Sequence, residues 1–348
     1  MNRINKNSLL TNKTENAIID TTQKQNVAWG ETMAKYIAKR LMQTLLLMVL
    51  VSAITYFLVE LIPGDRVFMT YGEGITREEY EIYYRQMGLD QPVVFRYLNW
   101  LKMAVRGNLG VSTQYKQQVE GLLALKMPIT IYLSVLSGLI SLPLGILMGV
   151  LCATHRGKMT DTILTCAANI ISCLPGYWIA LLMMFLFSLK LHWLPSYGFT
   201  WFWVDGVDHL RKLIMPLFCL TIGEIAGICR QTRSSVLECI RQDYVRTARA
   251  KGLSEGTVIR VHVMRNALIP IVTLAGSRLA GLIGGALFVE SVFSIPGMGS
   301  LLQTAITSKD LPVMIAIVCM TALVSGIAYL LTDLAYLACD PRITLTND

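Results

Sequence analysis

Charge is scarce in this sequence. Only 16% of its 348 residues are Asp, Glu, Lys or Arg, where soluble domains carry about 25%. The apolar residues also come in long runs rather than at helical spacing, which excludes an unusually large soluble core. Histidine is rarer still. The four residues His155, His192, His209 and His262 show no paired spacing, and the topology derived below puts the first and last on the opposite side from the other two. The eight cysteines (Cys152, Cys166, Cys173, Cys219, Cys229, Cys239, Cys319 and Cys339) contain no Cys-x-x-Cys and no Cys/His spacing that suits zinc. They read as small apolar residues in helices, not as disulfides or metal ligands. A phosphate-cradling loop is missing too. The nearest fragment is Gly157-Lys158, but Met159 follows it and Cys152 stands where the first Gly is required. The chain therefore cannot hydrolyse ATP alone, and no catalytic residues are assigned. The apolar runs do not alternate with period two, which excludes a closed β-barrel.

What the sequence does have is apolar length: 53% hydrophobic residues and a mean hydropathy of +0.50. Runs of about 20 apolar residues read as membrane spans, and there are six: Leu41–Ile62, Ile129–Ala153, Ile163–Leu189, a shorter Leu213–Cys229, Leu268–Phe293 and Pro312–Leu337. The first is too long, and too far from the start, to be a cleaved signal peptide. The net charge of +8 follows lipid topology rather than nucleic acid, because Lys and Arg gather in loops. Lys35, Lys39 and Arg40 precede the first span, Arg156 and Lys158 lie between spans two and three, and eight basic residues from Arg230 to Arg265 follow span four. The positive-inside rule then puts both termini in the cytoplasm. The basic residues of the long loop after span one do not reverse this, since long loops translocate largely regardless of charge.

Three regions follow. Residues 1–34 are polar and without periodicity, and are expected to form a disordered cytoplasmic tail. Residues 35–127 hold the first span and a structured extracytoplasmic loop. In that loop Thr76-Arg77-Glu78-Glu79 is a capping box, Gly88 a helix stop, and Val93, Val94, Tyr97, Leu98 and Leu101 one face of an amphipathic helix. Residues 128–343 hold the other five spans and a cytoplasmic loop, 230–267. There, Tyr244 to Gly252 reads as a short helix ending in Gly, and Ser254 as the cap of a second. Spacing alone leaves this hairpin either as a docking element or as an interfacial connector.

The run Arg241-Gln242-Asp243-Tyr244-Val245-Arg246-Thr247-Ala248-Arg249-Ala250-Lys251-Gly252-Leu253-Ser254-Glu255, continued by Arg265-Asn266-Ala267-Leu268-Ile269-Pro270, resembles the coupling loop of ABC importer permeases. The dipeptide, oligopeptide and nickel branch is the nearest in pattern. Pro63-Gly64-Asp65, Gly88-Leu89-Asp90-Gln91-Pro92, Gly107-Asn108-Leu109-Gly110-Val111-Ser112, Val289-Glu290-Ser291-Val292-Phe293, Pro296-Gly297-Met298-Gly299 and Asp340-Pro341-Arg342 follow the same branch in order. The general permease motif begins Glu-Ala-Ala with a Gly four residues after the last Ala. Here Arg246-Thr247-Ala248 precedes Gly252, so only the final Ala and the Gly fit. The resemblance covers about residues 36–343. It implies an all-α membrane protein of six transmembrane helices in a bacterial or archaeal cell membrane, with the type I ABC importer permease fold. It also implies a second homologous permease subunit, two ATP-binding subunits that carry ATP and Mg, and an extracytoplasmic substrate-binding protein. Nucleic acid is not an implied partner, and this chain itself is expected to bind no cofactor. On this reading Tyr244, Arg246, Thr247, Ala248, Arg249, Ala250, Lys251 and Gly252 couple the chain to an ATPase. Ala248 and Gly252 would allow close approach. The alternative is a stand-alone secondary transporter, but no inverted repeats are visible.

Two charges lie inside the spans. Glu224 is about eleven residues into span four and Arg278 about ten into span five, so each is ~15 Å deep, near the midplane of a ~30 Å core. Such charges are costly and pair or face a cavity. The pair is expected to line the translocation path or to be bound to each other. Glu290, with Phe293, Pro296 and Gly297 close behind it, is expected to act as an outer gate or as a staple for the outer loop. Asp333 reads as interfacial.

Overall fold

The computed structural model describes residues 36–62, 64–72 and 74–339. The amino-terminal tail, Pro63 and the Asp340-Pro341-Arg342 motif lie outside the described residues. In chain order the helices are α1 (Tyr36–Glu60), the short outer helices α2 (Arg66–Tyr71), α3 (Arg77–Gln86) and α4 (Val93–Val105), and the long α5 (Val119–Thr154). Next come α6 (Met159–Cys173) and α7 (Gly176–Met183), the latter continuing as a π-helix over Met184–Lys190, and α8 (Gly206–Ile240). The cytoplasmic α9 (Asp243–Ala250) and α10 (Glu255–Thr257) follow. A π-helix over Val258–Val263 joins α10 to α11 (Met264–Val292), before α12 (Met298–Thr307) and α13 (Leu311–Cys339). No strand occurs among the described residues, only an isolated bridge between Val111 and Gln118.

Five helices, α1, α5, α8, α11 and α13, are long and apolar enough to cross a membrane, and the α6–α7 pair makes a sixth if counted as one span. The third expected span, Ile163–Leu189, is therefore not a straight helix. It is bent by 98° at Leu174-Pro175. Proline has no N–H to donate and pushes the residue before it out of the α region, and Leu174 is extended at φ −84°, ψ 130°. The fourth span is also longer than expected: α8 runs 35 residues, passes through Pro216, and takes in the first eleven residues of the expected 230–267 loop. It stays helical there because Thr232, Ser235 and Val236 are buried against the rest of the chain. At the other end, α5 starts at Val119, crosses the boundary expected at 127/128 and carries Pro128 inside it.

Small residues set the central packing. Ser134, Ser137, Ser141, Gly145, Gly149 and Cys152 form a buried stripe along α5. A side chain at Gly145 would lie 2.7 Å from Ile228 of α8, and one at Gly149 would run into Thr232. Interiors of membrane bundles favour such residues because backbones can approach closely without a hydrophobic driving force. On the outer side α12 buries Met298, Leu301 and Ala305 against Val119, Leu122 and Leu123 of α5 and Val313 and Ile317 of α13. At the inner ends Arg40 of α1 pairs with Asp333 of α13 at 2.9 Å.

The outer loop is folded. Thr76 caps α3, accepting from Glu79 N, while the Glu79 carboxylate accepts from Thr76 N at 2.8 Å. That bond holds Glu79 below the usual carboxylate range. Tyr80 donates to Asp65 at 2.6 Å, which pushes its phenol up to about 12. Thr76→Ala is expected to cost about 1 kcal/mol locally, read as roughly fivefold faster amide exchange across 77–86. The buried face of α4 differs from the one expected. Val93, Tyr97, Trp100, Leu101 and Ala104 pack toward α1 and α13, while Val94 and Leu98 are exposed. Trp100 and Ala104 extend the 93–97–101 row and decide which way the helix turns.

Candidate coupling hairpin and translocation path

The cytoplasmic hairpin is built from α9, a turn at Lys251–Ser254, and α10. Its inner face is apolar. Val245 and Ala248 are buried together with Val236 of α8, Val258 and Val263 of the π-helix, and Ala267 and Ile271 of α11. Ala248 is thus enclosed by its own chain, where its small size serves this packing. The outer face carries Arg246, Thr247, Arg249, Ala250, Lys251 and Gly252, all exposed. Tyr244 stands at the edge, and burial raises its phenol.

Gly252 turns the corner with φ +77°, a backbone region that L side chains rarely adopt. No heavy atom lies within 4 Å of where its side chain would be. The corner is held from both sides. Ser254 caps α10 by accepting from Thr257 N, and Arg249 reaches across to Glu255 with bonds of 3.1 and 2.6 Å. Arg249 holds the Glu255 carboxyl below its usual range. These contacts make the hairpin a stiff extension of α8 and α11.

Within the spans Arg278 Nη1 lies 3.4 Å from Glu224 Oε2. The two side chains remain 32% and 25% exposed within this chain, so this chain only partly covers the pair. The Arg278 guanidinium lies where a side chain on Gly227 would stand. Helix α8 therefore needs glycine at 227 to admit it.

Farther out, Glu290 is fully buried and its Oε2 accepts from Gly299 N at 2.6 Å. Its carboxyl fills the place of a Gly297 side chain. Met298 N donates to Thr130 of α5 at 3.0 Å, and Gly198 N donates to the Phe293 carbonyl at 3.1 Å. Phe293 itself is buried in the central core, while Pro296 is only partly covered. Glu290, Phe293, Gly297 and Gly299 therefore knot α11, α12, α5 and the 190–205 loop into one outer junction.

Two family models match this architecture. The binding-protein-dependent transport system inner membrane component matches residues 142–345, and the N-terminal model of the same transport system component matches residues 33–134. The chain belongs to this family of inner membrane components. A putative peptide transport system permease protein of Brucella abortus (strain 2308) is 37% identical over 311 residues, covering 89% of this chain and 99% of the relative. The oligopeptide transport system permease protein AppB of Bacillus subtilis is 32% identical over 314 residues, covering 89% and 99%. Among solved structures, a chain from the inward-facing methionine ABC transporter MetNI shares the fold. It has a TM-score of 0.52 and 20% identity, over 63% of this chain and 96% of that one.

As an inner membrane component of a binding-protein-dependent system, the chain is a multi-pass permease and not a stand-alone transporter. Its sequence pointed to the hairpin, the midplane charges and the Glu290 segment, but not to Asp161 and Arg233. Arg233, on the cytoplasmic extension of α8, holds Asp161 at the start of α6 through two bonds of 2.7 and 3.0 Å. Gly157 N and Thr165 Oγ1 also donate to Asp161. An Asp just ahead of an apolar run and an Arg four residues beyond a span were the available signal, yet nothing in the spacing links them across 72 residues. Breaking a largely buried ion pair leaves one charge stranded, at a cost of about 3 kcal/mol. Asp161→Ala is accordingly expected to lower the melting temperature of the purified complex more than the Asp161→Ala/Arg233→Met double variant does.

Proposed function

We propose that this chain forms half of the translocation path of an ABC importer for di- or oligopeptides, with a homologous permease as the other half. Two ATP-binding subunits drive it, and an extracytoplasmic binding protein delivers the substrate. The observation that carries the reading is the hairpin, whose polar outer face is exposed while its inner face is packed into α8 and α11. A push on the hairpin by an ATPase is passed to the same two helices that bear Glu224, Arg278 and Glu290. The relatives named for peptides favour peptides over nickel or a metal chelate. A peptide also offers an ammonium and a carboxylate, which are complementary to Glu224 and Arg278.

In this mechanism ATP closes the ATPase dimer, the hairpin follows, and the spans rock to open the path outward to the docked binding protein. Hydrolysis returns the path to the inward-open form. The outer junction at Glu290, Phe293, Pro296 and Gly297 moves as one piece and acts as a staple for the outer end of α11. Smallness and exposure at Gly252 leave room for the ATPase surface.

Uptake of a labelled peptide into proteoliposomes holding the full complex tests this. Glu224→Gln and Arg278→Gln are each expected to reduce uptake of peptides with free termini at least tenfold, and to affect terminally blocked peptides less. Equal losses on both substrates would mean that the pair is structural only. Unchanged uptake would remove it from the path altogether.

A further inference from the structure

A cavity of about 920 Å³ opens on the extracytoplasmic side, away from the helices assigned to the path. Its walls come from the end of α3, from α4, from the segment 111–116 and from the α12–α13 turn, and Tyr56 of α1 and Ile315 of α13 reach into it from the spans. Arg66, Arg85, Arg96, Lys116 and Lys309 line it, and no Asp or Glu does. Two carboxylates lie behind the wall and accept from its residues, with Asp310 Oδ1 left without a partner. Glu60 receives Arg66 and Arg96, and Asp310 receives Ser112 and the Gln114 amide.

Two of the lining residues hold unused donors. Arg96 is nine-tenths buried, with 9% of its side chain exposed. It holds Glu60 through Nη2 at 2.5 Å and leaves Nε and Nη1 without partners. Trp100, also buried, leaves Nε1 without a partner. Buried N–H groups without acceptors are costly, and a cluster of them among cations is a site for an acceptor-rich anion.

The position of α4 narrows the choice of anion. Tyr97 of α4 shares a hydrogen bond of 2.9 Å with Ser52 and donates to the Val49 carbonyl at 3.0 Å. Val49 lies eleven residues before the end of α1, about 16 Å down that helix. Helix α4 is thus sunk beside the outer half of a membrane span, and the side turned away from α1 exposes Val94, Phe95 and Leu98. A cavity bordered by such a helix opens at the level of lipid headgroups, where aromatic and cationic residues gather.

We propose that this cavity binds the headgroup of an anionic phospholipid of the outer leaflet. The phosphodiester accepts from Arg96 and Trp100, and Arg85 and Lys116 stand at the headgroup. The acyl chains lie along the apolar side of α4.

The test is lipid retention by the purified complex after exchange into nanodiscs of mixed phosphatidylglycerol and phosphatidylcholine, read by native mass spectrometry. Wild type is expected to retain phosphatidylglycerol at least tenfold over phosphatidylcholine. Arg85→Gln/Lys116→Gln, both exposed positions that leave the Glu60 cluster intact, is expected to lose most of that preference, and Arg96→Gln the remainder. Basal ATPase activity serves as the folding control. Equal retention of the two lipids, or retention unchanged in the double variant, overturns the proposal. Displacement of phosphatidylglycerol by millimolar inorganic phosphate would make this a free-anion site. Displacement by stoichiometric binding protein would make it a protein-docking site. Either result also overturns the lipid assignment.

Discussion

Gly252→Arg is expected to abolish the rise in ATPase activity that substrate-loaded binding protein produces, while the complex still assembles. The expectation rests on two separate properties of the position. The first is backbone. At φ +77° an L residue with a Cβ costs roughly 1–2 kcal/mol, a loss the folded chain can absorb because Ser254 and the Arg249–Glu255 pair hold the same corner. The second is space. No heavy atom of this chain lies within 4 Å of a Cβ placed there, and Gly252 is on the exposed face, so an arginine there has room to extend toward whatever docks on it. Gly252→Asn separates the two, since asparagine tolerates the left-handed conformation better than most residues and adds a shorter side chain. If the arginine variant couples like wild type in a stimulated ATPase assay, Gly252 is a turn residue and no more. If asparagine and arginine lose stimulation equally, the geometry of the turn and not the surface is what matters.

The second large effect is expected at Gly299, where alanine should destabilise the chain by about 3 kcal/mol, the upper end for an overpacked site. The obstacle is the Leu287 backbone carbonyl of α11, which occupies the place of the new methyl group. A backbone carbonyl cannot rotate aside as a side chain does. Any shift that relieves the clash also lengthens the 2.6 Å bond from Gly299 N to Glu290, leaving a buried carboxyl with less to hold it. A fall in melting temperature and in the yield of assembled complex should follow. Gly284→Ala, in α11 and with nothing within 4 Å of the added Cβ, is the control and should be neutral. A neutral Gly299→Ala would mean that α12 is free to move off α11, and the outer junction would then be a gate and not a staple.

Much of this arrangement was legible in the sequence, for identifiable reasons. Runs of apolar residues locate spans because lipid admits little else, and the Thr76 capping box and Gly88 mark α3 because their signals are local. What escaped was non-local or competed with a stronger pattern. Hydropathy cannot see the bend at Leu174-Pro175, since both arms are apolar and the break lies in dihedral angles. It stops α8 at Cys229, where charge begins, although buried Ser235 and Val236 carry the helix on. The buried face of α4 is ambiguous in the sequence because its exposed side, Val94, Phe95 and Leu98, is as apolar as its buried one. The Glu224–Arg278 proximity could be anticipated from matching depth on antiparallel spans. The Asp161–Arg233 pair could not, because neither residue is deep enough to demand a partner.

The π-helix at Val258–Val263 gives the junction between hairpin and α11 a rotational phase. Each residue added to an α-helix advances it by about 100°, and a π segment holds an extra residue without passing that rotation on. If the segment relaxed to an α-helix with all its residues kept, the hairpin would stay on its apolar bed only if α11 swung by that angle. Arg278 would then leave Glu224 and turn from its gap at Gly227. The segment is in effect a dial that fixes which side of α11 faces the path for a given seating of the hairpin. The same dial offers a way for a change at the cytoplasmic surface to arrive at the midplane as a twist as well as a tilt.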